Sequence, residues 1–194
     1  MKNERGEIIG MATVFRDNTE RKLIEDTLRF LAQNSARSEV SELFRPLCRY
    51  LAGALKMEFV CVARLAPGAA DANTLALFID GDFHDNTSFP LAGTPCADVI
   101  RKESVALACD VAKLYPSDPK IRQFNAASYI GVILRGAEGE PIGLIAAMGR
   151  APLANAGLAE SILKLVSVRV EGELEHEIDR KSTRLNSSHG YISY

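Results

Sequence analysis

The chain has 194 residues, 47% of them hydrophobic and 25% charged, with a formal net charge of −2. That is room for one ordinary domain with attachments and a full apolar core. The near-neutral balance has no basic stripe that would mark a nucleic-acid footprint, and no apolar run is long enough to cross a bilayer or laid out as a signal peptide.

Along the chain, the run GEIIGMATVFRD, residues 6–17, opens on a glycine turn and continues as a β-rich edge strand. A helix is predicted over 18–37. Asn18 or Thr19 can cap it, and Glu20 falls in the first turn, where a carboxylate suits the helix dipole. Leu23, Thr27 and Phe30, beside Ile24, Leu28 and Leu31, form adjoining seams at three-and-four spacing. Such a helix is expected to pack on a copy of itself. QNSARS interrupts the pattern. From Val40 onward Leu43, Phe44, Leu47, Cys48, Leu51, Ala54 and Leu55 make a second amphipathic helix, with Pro46 inside it and a kink expected there.

MEFVCVARL and NTLALFI read as strands. Thr94 is placed as an N-cap with Pro95 at the first helical position, which sets Cys96 in the first turn beside Asp98. SVALACD returns to strand. Asp118 and Pro119 repeat the cap logic before a short helix carrying Ile121 and Phe124. In SYIGVILRGAEGEPIGLIAAMGR two apolar runs flank a Gly-rich turn, a hairpin whose strands are apolar on both faces. Strands of that kind belong at the centre of a sheet covered on both sides. A final helix is predicted over 157–178, its stripe narrowing from Leu158, Ile162, Leu165 and Val166 to Val170, Leu174 and Ile178, as if leaving the domain to meet a partner. Residues 179–194, DRKSTRLNSSHGYISY, have no period. They are similar to the translation of a sequencing adapter and are expected to be a non-native tail.

The four cysteines, Cys48, Cys61, Cys96 and Cys109, form no Cys-x-x-Cys pair, and no histidine stands near one in metal-site spacing. No metal site is expected, and the thiols read as small buried hydrophobes in a reducing cytoplasm.

GEIIGMATVFRDNTERK resembles the last strand of a PAS domain and the turn after it. FPLAGTPCADVI, YPSDPKI, the hairpin and the final helix resemble a GAF domain segment by segment. The implied boundaries are a PAS remnant at 1–17, a linker helix at 18–37, a GAF domain at 38–178 and the tail at 179–194. The implied fold is α+β: an antiparallel sheet with helices on both faces and the first and last helices packed together. The resemblance also implies a cytoplasmic, non-enzymatic sensory or relay module of a bacterial histidine kinase or cyclic-di-nucleotide enzyme. Its partners would be a second copy through the terminal helices, the flanking PAS and output domains, and a small molecule, with no direct membrane contact. A ligand-free dimerising spacer and a cysteine-based redox sensor or thiol enzyme are the alternatives.

Cyclic-nucleotide binders of this family carry an Asp-Glu dipeptide and many bilin binders a Cys-His pair. This chain has neither, so no cofactor is assigned. His84 could reach a haem from a pocket rim, though a lone loop histidine is more often solvated. The candidate ligand residues are Phe83, Phe89, Cys96, Val99, Tyr115, Ile121 and Phe124, placed between the sheet and the short helices. They could line a pocket or equally fill it. Cys96, at a helix N-terminus, is open to two readings: a thiolate stabilised by free backbone N–H groups, or an inert packed residue.

Overall fold

The computed structural model describes residues 18–34 and 41–189, with side chains for 18–34 and 43–178. The PAS-like strand and the 35–40 break lie outside the described residues.

The first helix, α1 (Thr19–Gln33), starts where the cap residues put it, although Asn18 contributes its backbone carbonyl to Lys22 rather than a side-chain cap. One of its seams lies on its own domain. Thr27 is fully buried, its hydroxyl donating to the Leu23 carbonyl and sharing a 2.7 Å hydrogen bond with the Tyr50 hydroxyl. Phe30 stacks on Tyr50 at 4.5 Å, while Ile24 and Leu28 remain exposed. The expectation that both seams face a second copy is thus corrected for the Thr27 side. The second helix, α2 (Ser41–Leu55), runs through Pro46 and buries Leu43, Phe44, Leu47, Cys48 and Leu51 along one stripe.

Seven strands follow: β1 (Phe59–Leu65), β2 (Asp71–Ile79), β3 (Asp82–His84), β4 (Ser88–Pro90), β5 (Ser104–Leu107), β6 (Ser128–Arg135) and β7 (Pro141–Gly149). They form one antiparallel sheet in the order β3-β2-β1-β7-β6-β5, with β4 pairing with the start of β2. The short strands β3 and β4 sit in a stretch with no alternating pattern. They are strands because β2 is long enough to pair with one at each end.

The helices α3 (Pro95–Lys102), α4 (Val111–Leu114) and α5 (Pro119–Gln123) lie between strands in the chain, and α6 (Ala156–His189) follows β7. Side-chain alternation divides the sheet between two cores. Val60 and Val62 of β1 face α2 and α6, whereas Phe59, Cys61 and Ala63 face α3 and α5. The β6/β7 hairpin does the same, which explains runs apolar on both faces: each face has its own cover.

The seam on α6 is a further correction. Val170 and Leu174 are fully buried against the sheet. Glu171 accepts from the Arg135 backbone N–H at 3.1 Å, and Glu175 from that of Ala137, tying the helix to the hairpin turn. The narrow stripe is therefore the domain's own packing through Leu174. The helix runs past the expected end at Ile178 to His189. Among the described residues no helix is long and apolar enough to cross a membrane.

Candidate functional site

On the side of the sheet away from α2 and α6 lies a cavity of about 180 Å³. Its floor is the sheet. Phe59 and Cys61 reach it from β1, Tyr129 from β6, Ala146 and Met148 from β7. Its roof is the segment from Phe89 through Cys96 and the start of α5 at Asp118 and Lys120. Both roof pieces are pinned by the turn chemistry legible in the sequence. Pro95 starts α3, where the Thr94 hydroxyl donates back to the Leu91 carbonyl at 2.7 Å instead of capping forward. Asp118 caps α5 as expected, its Oδ1 accepting from the backbone N–H of Lys120 at 2.8 Å and of Ile121 at 3.4 Å.

Of the candidate residues, Phe89 and Cys96 line this cavity. Val99 and Ile121 are fully buried in the same core, and Tyr115 packs at its edge with its hydroxyl donating to Asp98 at 2.9 Å. Phe124 meets Phe59 at a ring separation of 5.0 Å and borders a smaller cleft with Arg150. Phe83 lies on the other side of the sheet: it pairs with Phe78 edge to face, and the guanidinium groups of Arg45 and Arg49 lie 4.4 and 4.9 Å from its ring centre. The period of two explains this, because Phe78 and Phe83 are opposite one another in the β2/β3 register and share a face. His84, next in β3, is exposed. Sequence reasoning missed Phe59, Cys61, Tyr129, Met148 and Lys120. The strand residues had a usable signal, since every second residue of β1 and β7 must face the roof.

For Cys96 the geometry favours the packed reading. It occupies the first turn of α3, but it is 8% exposed, and burial pushes its thiol up to about 11 despite the hydrogen bond donated by Tyr129 at 3.3 Å. Desolvation outweighs the hydrogen bonds and the Lys120 charge that favour the thiolate. Asp98 is turned to Arg101, Tyr115 and Lys102, which hold its carboxyl at about 2. Of the four free cysteines only Cys109 is exposed, and a hydrogen bond to Asp110 raises its thiol. Gly131 makes room for the Tyr129–Cys96 contact: a Cβ there would lie 2.5 Å from the Tyr129 hydroxyl oxygen. Among the described residues no group of three or more His, Cys, Asp or Glu side chains is placed to hold a metal ion.

No family model matches the chain, and no curated protein matches it. Solved structures do. The GAF domain of a phosphoenolpyruvate-protein phosphotransferase from Coxiella burnetii superposes with a TM-score of 0.70 at 12% identity, over 84% of this chain and 98% of that one. A free methionine-R-sulfoxide reductase from Neisseria meningitidis, solved with its substrate, gives 0.64 at 13%, over 87% and 96%. The chromophore-binding domain of a Stigmatella aurantiaca bacteriophytochrome gives 0.63 at 10%, over 80% of this chain and 60% of that one. The fold is therefore GAF-like.

Proposed function

We propose that the chain is a sensory and relay module of a bacterial signalling protein, binding a small molecule in the cavity under Phe89 and Cys96. The observation that carries this reading is the cavity itself. An apolar void forfeits packing contacts, so a domain serving only as a spacer has no reason to keep it. A cavity of about 150 Å³ already admits benzene, which sets the scale of the occupant.

The relay runs through the sheet. Phe59 and Cys61 touch the cavity, while Val60 and Val62, between them and beyond, touch the layer of α2 and α6. A ligand that prefers one packing of the roof would bias that layer and its neighbour α1. The exposed apolar residues Ile24, Leu28 and Val168, at 38, 49 and 71%, suit contact with a second copy in a homodimer. A PAS domain before α1 and an output domain after α6, in a cytoplasmic histidine kinase or cyclic-di-nucleotide enzyme, complete the reading. A thiol enzyme at Cys96 is disfavoured by that residue's burial.

The test pairs the parent chain with Ala146→Leu, which fills the cavity floor. Small molecules are screened by thermal shift, and hydrogen exchange in α1 and α6 is followed for each hit. Compounds at about a hundredfold excess over Kd should stabilise the parent by ~2.7 kcal/mol and the filled variant much less, and should slow exchange in both terminal helices. Equal stabilisation of both proteins, or helices indifferent to every hit, would reject the reading.

A further inference from the structure

We propose that the cavity's occupant is a compact monocarboxylate with an apolar, ring-sized body, its carboxylate held by Lys120; this rests on the reading of the cavity as a ligand site. The polar groups around the cavity, apart from the exposed Ser117, lead to it by elimination. The Thr74 hydroxyl accepts from the Thr87 backbone N–H at 2.7 Å and donates to the Thr87 carbonyl at 3.2 Å. The Thr94 hydroxyl donates to Leu91, and the Tyr129 hydroxyl to Cys96. Asp118 is met by two backbone N–H groups. Each of these groups therefore has a partner within the protein, Asp118 through its Oδ1.

Lys120 is different. Among the described residues it is the one cationic side chain lining the cavity. Its ammonium lies 5.5 Å from the centre of the Phe89 ring, and no carboxylate of the described residues forms an ion pair with it. Its charge reaches the floor, where it favours the thiolate forms of Cys61 and Cys96 against their burial. Partly buried at the start of α5, it is an ammonium with three donors and no anionic partner. The walls supply the other half of the recognition. Phe59, Phe89, Tyr129 and Met148 are aromatic or thioether surfaces suited to a flat apolar body, and the volume of about 180 Å³ limits that body to about one ring.

The probes are benzoate and its neutral counterpart benzamide, titrated by calorimetry into the full chain at low ionic strength, with Lys120→Met and Lys120→Arg as variants. Benzoate should bind the parent about tenfold or more tightly than benzamide, as one charge-assisted contact allows. Lys120→Met should abolish that preference and Lys120→Arg retain it, which separates loss of charge from loss of fold. Raising salt should erode the preference. Equal binding of the two probes to the parent, or a preference that survives Lys120→Met, overturns the proposal and leaves the cavity reading standing. Binding of neither probe also overturns it, and the Ala146→Leu comparison then judges the cavity reading by itself.

Discussion

Gly131→Ala tests whether the site's geometry follows from close packing around one backbone position. Gly131 sits in β6 opposite Val105 of β5 and Ala146 of β7. An added Cβ would lie 2.5 Å from the Tyr129 hydroxyl oxygen, 2.8 Å from Val99 Cγ2 and 3.1 Å from Tyr129 Cζ. All three are inside the contact optimum of about 3.5 Å. Tyr129 is 1% exposed and Val99 0%, so neither side chain can swing into solvent to relieve the overlap. Overpacking of this kind costs ~1–3 kcal/mol. At about 2 kcal/mol, a chain of this size should lose ~4–8 °C in Tm.

The sharper measurement is a double-mutant cycle with Tyr129→Phe, read by urea and thermal unfolding. In the parent, Tyr129→Phe removes the hydrogen bond to Cys96 and should destabilise by ~0.5–1.5 kcal/mol. In the Gly131→Ala background the same change removes the atom that clashes most. It should cost nothing there, or stabilise, giving a coupling of at least ~0.5 kcal/mol. If Gly131→Ala stays within ~0.5 kcal/mol of the parent, or Tyr129→Phe costs the same in both backgrounds, the reasoning fails.

Two further outcomes are expected. Asp98, held at about 2 against an ordinary 3.8, contributes stability that is complete above the ordinary value and is lost as pH falls through about 2. The stability gap between parent and Asp98→Asn should therefore be widest near neutrality and shrink steadily below about pH 4, and a gap constant with pH would contradict the assignment. Burial pushes the Cys48 thiol up to about 12 and that of Cys96 up to about 11, and Cys61 is raised well above its usual range. The native chain should then offer a disulfide reagent one rapidly reacting thiol, Cys109, and the unfolded chain all four. Asp110→Asn should speed Cys109. A second fast thiol mapping to Cys96 would overturn its buried placement.

Local rules carried far in this chain. The cap at Asp118, the helix start at Pro95, the amphipathic stripe of α2 and the two-faced hairpin are short-range patterns, each set by residues within a few positions of one another, so the α+β class and most elements were legible from residue order. The strands β3 and β4 were not, because they exist only through pairing with β2. Whether a helical seam meets a partner or its own domain was equally hidden: the spacing of Val170 and Leu174 is the same for either, and only the sheet's proximity decides. The site divides the same way. Phe89 and Cys96 were placed by their local turn, while Phe59, Tyr129 and Met148 come from strands far apart in the chain and meet only through sheet register. Cys96 shows the physical reason most plainly. Its position at a helix N-terminus is a local fact that favours thiolate, but the burial that overrides it is made by Tyr129 and the sheet, which lie close only once the chain is folded.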